Sequence, residues 1–146
     1  MRAVLALGAV WLSLQGPGAI GAVLQGGRVI SAELVPARVD RARVASVQLR
    51  FALSDSARVV VAFDRQVVGN KVGSACVPAR PEFRGYPSCR FYITLNRVVI
   101  AEPAAGPHKV ALARLVQSGV LAPGAYRVRV RATKQTVEIR LGLTVL

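Results

Sequence analysis

The chain has 146 residues, of which 20 are lysine or arginine and 7 are aspartate or glutamate, giving a formal net charge of +13 at pH 7. This length allows one domain with a modest core and excludes two. One histidine and two cysteines exclude a zinc site of ordinary composition. The charge favours contact with anionic polymers or membranes without specifying either. Because 17 of the basic residues are arginine, the charge indicates either anion recognition or a compositional bias, and we favour bias.

The N-terminus has the pattern of a secretory signal. Met1-Arg2 is a short positive segment, residues 3–14 carry no charge, and Gly16-Pro17-Gly18 would break a helix just after them. Small residues follow, so cleavage is expected after Gly21 or Ala22. We therefore predict a signal peptide at 1–22, a linker at 23–27 and a domain at 28–146, in a protein that is secreted or extracytoplasmic.

The alternative is that this segment is retained as an anchor. Twelve uncharged residues are too few to span a bilayer, which needs about 20. An anchor through residues 3–24 would extend the helix across Gly16 and Pro17, at a cost in helix stability. The protein would then be a membrane-anchored accessory or scaffold subunit whose basic surface lies against anionic lipids.

Apolar residues recur with a period of two along the rest of the chain, which is typical of half-buried strands. The first strand is predicted between Arg28 and Val35, ahead of Pro36. The next two runs, 47–53 and 59–63, are separated by Ser54-Asp55-Ser56 and predict a hairpin.

The C-terminal half continues this pattern. A run at 91–95 follows Cys89, a weaker one surrounds Val110, and only residues 112–116 are compatible with a helical turn. The runs 126–132 and 137–145 alternate clearly and predict a second hairpin. About seven short strands in one domain indicate an all-β, antiparallel immunoglobulin-like β-sandwich.

A local motif supports the sandwich. Leu121, Pro123 and Tyr126 form an L-x-P-x-x-Y pattern, which precedes a late strand in immunoglobulin-like and fibronectin type III sandwiches. In such a tyrosine corner the hydroxyl binds nearby backbone, as a buried tyrosine requires. The alternative is an ordinary Pro-Gly turn followed by an ordinary core tyrosine.

Cys76 and Cys89 are the only cysteines and follow an export signal, so we predict a disulfide between them. The enclosed loop contains two aromatics and two arginines that could form a contact patch, namely Arg80, Phe83, Arg84 and Tyr86. The alternative, which we favour, is a connector stiffened by its three prolines.

From Ser46 onward the chain resembles the secreted bacterial immunoglobulin-like domains of high-GC organisms. The resemblance rests on the V-G-x-x-C segment that ends at Cys76, on Cys89 just before a strand, and on Leu121 to Tyr126 running on to Ala132-Thr133. It implies an envelope or surface module without catalytic activity, often part of a larger protein. It supplies neither a ligand nor binding residues.

Three arginines alternate along one predicted strand: Arg127, Arg129 and Arg131. At about 7 Å spacing they could bind sulfate, phosphate or uronate groups. We instead expect a solvated face on which Glu138 and neighbouring polar residues pair across the hairpin. Nucleic-acid binding is not expected, since export removes the usual target and no aromatics interleave with this strand.

The inventory of reactive groups argues against catalysis. His108 is the only histidine, and no G-x-S-x-G motif is present. The seven acids form no close pair in sequence, although a fold could bring two together in a cleft. Calcium and phosphate-binding motifs are also missing. We therefore predict no catalytic residue, metal or cofactor, and a module that binds an unknown protein or an anionic envelope polymer.

Overall fold

The computed structural model describes residues 26–116 and 121–146, and the predicted signal peptide lies outside them. The described residues form nine strands and three short 3-10 helices. The strands are β1 Val29–Val35, β2 Arg38–Val39, β3 Gln48–Leu53, β4 Val59–Val72, β5 Ala75–Pro78, β6 Ser88–Ile100, β7 Gly106–Ala111, β8 Gly124–Ala132 and β9 Ile139–Val145. The 3-10 helices are Arg41–Ser46, Pro81–Phe83 and Leu112–Arg114.

The strands form two sheets, and the predicted all-β class is confirmed. A three-stranded sheet has the order β1-β3-β7, with antiparallel pairs throughout. A larger sheet has the order β2-β9-β8-β4-β5, with β6 also paired to β4. Its pairs are antiparallel except for β2 with β9. The prediction missed β2 and β5, which are too short to show a periodic pattern.

The core lies between the two sheets. β3 contributes Leu49, Phe51 and Leu53 from one side, and alternate residues of β4 and β8 contribute from the other. Each buried aliphatic or aromatic side chain adds roughly 1.5–3 kcal/mol of transfer free energy. The largest side chains with almost no exposure include Phe63, Leu49, Leu112, Leu115, Leu143, Val59, Val61, Val128 and Val130.

The predicted hairpin between residues 47–53 and 59–63 is wrong. β3 pairs with β1 and β7 in the small sheet, whereas β4 pairs with β8, β6 and β5 in the large one. Residues 54–58 therefore cross from one sheet to the other. The two runs have similar periodic patterns because each strand turns one apolar face toward the same core, from opposite sides.

The predicted C-terminal hairpin is confirmed, since β8 and β9 pair antiparallel with Tyr126 opposite Leu143. β9 begins at Ile139, because the turn is longer than the sequence pattern implied. Gln135 organises this turn: its Oε1 accepts hydrogen bonds from the backbone N–H of Ala132 at 3.1 Å and of Val29 at 3.0 Å. The first strand is thereby tied to the last hairpin.

Candidate binding surface

The long strands β4 and β6 continue past the rest of the large sheet. β8 pairs with β4 only as far as Arg65, while β6 remains paired with β4 to Asn70. β5 then pairs with the last residues of β4. We call residues 66–95 the ribbon. In the described part of the chain, no residue of the ribbon belongs to the hydrophobic core.

The end of the ribbon is tightly coiled. Gly69 pairs with both Pro78 and Cys89, on two different strands. Strands on either side of a flat central strand would be about 9.5 Å apart, yet the Cα atoms of Cys76 and Cys89 are 5.9 Å apart. The predicted disulfide between them is confirmed. A glycine is needed at position 69, because a Cβ there would overlap the Val77 carbonyl oxygen.

The disulfide loop has more structure than a simple connector. β5 and the 3-10 helix Pro81–Phe83 lie within it. The rings of Phe83 and Tyr86 meet edge to face, with centroids 5.7 Å apart, and Asn70 Nδ2 donates to the Tyr86 carbonyl oxygen at 3.3 Å. The four contact candidates thus lie within one short, ordered loop, with Arg80, Arg84 and Tyr86 exposed and Phe83 half-buried.

The ribbon is both apolar and basic. Five of its large apolar side chains are exposed: Val68, Tyr86, Tyr92, Ile93 and Leu95. Its charged residues are Lys71, Arg80, Arg84 and Arg90 against a single acid, Glu82. The run at 91–95 therefore does not face the core. Its side chains are exposed except for the half-buried Phe91, and a register irregularity at Phe63/Asp64 leaves Leu95 without an opposite residue.

Asp64 lies where β4, β6 and β8 meet, on the face of the large sheet opposite Phe63 and the core. Arg129 donates to both of its oxygens, from Nε to Oδ2 at 2.7 Å and from Nη2 to Oδ1 at 3.0 Å. Arg127 Nε donates to Oδ2 at 2.9 Å, and the Thr94 hydroxyl donates to Oδ1 at 2.9 Å. Asp64 has no exposed surface.

These contacts keep Asp64 ionised. Burial raises its pKa, but hydrogen bonds from Arg129, Arg127 and Thr94 outweigh burial, and the pKa lies below its usual value. The hydrogen bond to Asp64 likewise raises the pKa of Arg129. Asp64 therefore serves as the buried counter-charge of two arginines.

Glu138 joins the same cluster from the C-terminal hairpin. Its carboxylate accepts from Arg129 Nη1 at 3.5 Å and from Arg140 Nε at 3.2 Å. Two of the seven acids, distant in sequence, therefore share one guanidinium. Asp64 lies beneath the arginines that bind it.

The arginine row does not present three free guanidinium groups. Arg127 and Arg129 both form ion pairs with Asp64, and Arg131 Nη1 donates to the carbonyl oxygens of Thr133 and Gln135, each at 3.4 Å. Arg127 also lies over the ring of Tyr92, 3.9 Å from its centroid. Sequence reasoning missed Asp64. The available signal was a lone acid directly after five consecutive apolar residues.

Tyr126 has the contacts expected of a tyrosine corner. Its hydroxyl donates to the Ala122 carbonyl oxygen at 2.6 Å. Its ring stacks on Phe63 with centroids 5.3 Å apart, and Leu121 is buried beside the same core. Pro123 lies between them in the turn before β8.

No known family model matches the chain, and no curated protein is significantly similar to it in sequence.

A groove of about 790 Å³ crosses the small sheet. Small residues line one side of it, namely Ser31, Ala52 and Pro107, and longer charged ones line the other, namely Glu33, Arg50 and Lys109. Arg50 Nε is buried without a hydrogen-bond partner among the described residues. Its Nη1 lies 4.0 Å from Glu33 Oε1, in an exposed ion pair.

Other reactive groups in the described ranges are occupied or dispersed. His108 Nε2 lies 2.6 Å from the Ala104 carbonyl oxygen, and the imidazole stacks on Phe51. Among residues 26–116 and 121–146, no three potential metal ligands cluster. No helix within these ranges is long and apolar enough to cross a membrane.

Proposed function

We propose that this protein is a non-catalytic, exported immunoglobulin-like module that binds an envelope or cell-surface component through its ribbon. The observation that carries the proposal is the ribbon itself, where exposed apolar side chains and basic residues are combined on a segment held rigidly by two long strands and a disulfide. Aromatic residues and arginine, which occur together on the ribbon, are enriched at interaction sites.

The strand order supports the immunoglobulin-like part of this proposal. In immunoglobulin sandwiches strands A, B and E share one sheet and C, F and G the other, to which a variable-type domain adds C′. Here β1, β3 and β7 correspond to A, B and E, and β4, β8 and β9 to C, F and G. β6 then corresponds to C′. The disulfide differs, since it lies in the ribbon instead of joining the two sheets.

The disulfide also supports export, because such bonds persist in oxidising compartments. The state of the reactive groups supports a binding role over an enzymatic one. The buried carboxylate is locked by arginines, and the histidine is held against a backbone carbonyl.

Site-specific photocrosslinking in the intact producing organism tests the proposal. A benzoylphenylalanine would replace Val68, which is 64% exposed on the ribbon, or Val137, which is 72% exposed in the C-terminal turn. We expect a discrete adduct of the envelope fraction from position 68 and none from position 137. Adducts of equal yield from both positions, or from neither, would contradict a binding role for the ribbon.

A further inference from the structure

β6 is a long strand with one open edge. Over its 13 residues it pairs with β4, and in the described part of the chain no strand pairs with its other side. Alternate backbone N–H and C=O groups along that edge therefore lack sheet partners. Such an edge is a template for a further strand unless the protein blocks it.

The middle of this edge is suited to pairing. Residues 91–95, Phe-Tyr-Ile-Thr-Leu, contain no charge, proline or glycine and have high β-propensity. Ile93 is 41% and Leu95 47% exposed, although both belong to a paired strand. An added strand would cover apolar surface as well as satisfy the backbone.

The charges at the two ends determine which strand can be added. Arg90 and Arg97 flank the apolar segment and are exposed, and β6 contains no acid. They lie about 23 Å apart along the strand. A second copy of this chain would bring like charges to the same edge, which is unfavourable. An acidic segment would instead form ion pairs at both ends.

The irregularity at Leu95 limits the length of such pairing. A bulge bends a strand and increases its twist, which prevents a long flat edge from stacking copy upon copy. A short extended segment can still follow the strand on both sides of the bend. The edge thus discourages assembly of this chain with itself while leaving room for one partner strand.

We propose that the open edge of β6 receives an extended segment of an acidic partner protein. That segment pairs through its backbone with β6 and places carboxylates about six residues apart, opposite Arg90 and Arg97, which is the spacing of Val68 and Ala62, the residues opposite them on β4. This inference rests on the proposed binding function and names the class of partner that the ribbon takes.

The test uses two short synthetic peptides with the same alternating Val-Thr centre, one flanked by glutamates and one by lysines. The glutamate peptide is expected to shift the amide resonances of residues 90–97 in the mature protein and to slow their hydrogen exchange, with binding that weakens as salt is added. In the double variant Arg90→Glu/Arg97→Glu, preference should reverse to the lysine peptide, by about tenfold in Kd.

Arg38→Glu is the matched control, because Arg38 lies on β2, at the opposite edge of the same sheet. It should leave both affinities unchanged. Equal binding of both peptides, shifts confined to other strands, or a dimer of the chain held through β6 would each overturn the inference. If position 68 still crosslinks while the glutamate peptide fails to bind, the binding function stands and this assignment of the partner is wrong.

Discussion

Arg129 and Asp64 form a two-point ion pair across neighbouring strands, with Nε 2.7 Å from Oδ2 and Nη2 3.0 Å from Oδ1. The two strands are already hydrogen-bonded, with Ala62 opposite Arg129. The ion pair adds a diagonal contact that fixes their register by side chains as well as backbone. Such bidentate pairs are among the stronger charged contacts in proteins.

Asp64→Asn should destabilise the protein at pH 7 by about 3 kcal/mol, because two arginines lose their buried counter-charge. Since the pKa of Asp64 is lowered by folding, its stabilisation is complete above the usual aspartate pKa of about 3.9 and is lost as the pH falls through the folded value. The difference in the free energy of unfolding between the variant and the wild type should therefore become smaller at acidic pH. Urea unfolding at neutral and strongly acidic pH measures both effects.

Asp40→Asn is the control for that experiment. Asp40 is exposed and its side chain makes no cap hydrogen bond to the following 3-10 helix. Its replacement should change the free energy of unfolding by less than about 0.5 kcal/mol at either pH. If the difference in unfolding free energy between Asp64→Asn and the wild type stays constant with pH, the ion pair does not determine stability.

Tyr126→Phe should reduce stability by about 1 kcal/mol, since the hydrogen bond to the Ala122 carbonyl is lost while the stacking on Phe63 is kept. Tyr92→Phe removes a hydroxyl that accepts only a long, exposed hydrogen bond from Gln66, at 3.4 Å, and should have almost no effect. Thermal or urea unfolding compares the two. An equal effect at both positions would argue against a tyrosine corner.

Gly69→Ala should destabilise the ribbon by roughly 2–3 kcal/mol, because the new methyl group overlaps the backbone of β5. Gly142→Ala is the matched change in β9, where a Cβ meets nothing within 4 Å, and should be neutral or slightly stabilising. Hydrogen exchange should show the loss of protection concentrated in β5 and the adjoining half of β6. Loss of protection spread evenly over both sheets would contradict this assignment.

Arg50→Met should be neutral or stabilising by up to about 1 kcal/mol. It removes a buried donor that has no partner in the described structure, while keeping the length of an apolar stem. The ion pair that is lost, with Glu33 at 4.0 Å, is exposed and contributes little. A clear loss of stability in chemical unfolding would mean that Nε has a bonding role in the folded protein.

The mature protein should lack tryptophan, because Trp11 is the only one and lies in the predicted signal peptide. Intact mass spectrometry without reductant should place the cleavage after Gly21 or Ala22, and reduction should add the two hydrogens of the opened disulfide. Tryptophan emission from exported protein, or pelleting that resists high salt, would indicate the retained anchor instead.

The sequence patterns predicted local structure more reliably than they predicted strand partners. The alternation at 126–132 and 137–145 predicted the final hairpin, because neighbouring strands joined by a short turn pair with each other. The same reasoning failed for β3 and β4, since a five-residue connection can either close a hairpin or cross between sheets. Alternation identifies which face of a strand is apolar and does not identify the sheet to which it belongs.

The candidate surface was predicted only in part. The disulfide could be predicted because the chain has only two cysteines. The loop aromatics could be predicted as contact candidates from their residue type. The length of β4 could not be predicted, because Arg65, Asn70 and Lys71 interrupt its apolar pattern beyond the core. Asp64 was overlooked because its partners, Arg127 and Arg129, are more than 60 residues away in sequence and meet it only through β4–β8 pairing.

β4 is one uninterrupted strand of 14 residues whose first half fills the core and whose second half carries the ribbon. The residues that fill the core and the residues that belong to the ribbon therefore occupy different halves of β4, although both halves share one backbone. Apart from Thr94, which donates to Asp64, the side chains of the ribbon can change with little effect on the packing around Phe63. Such a division lets selection alter what the protein recognises without first having to restabilise it.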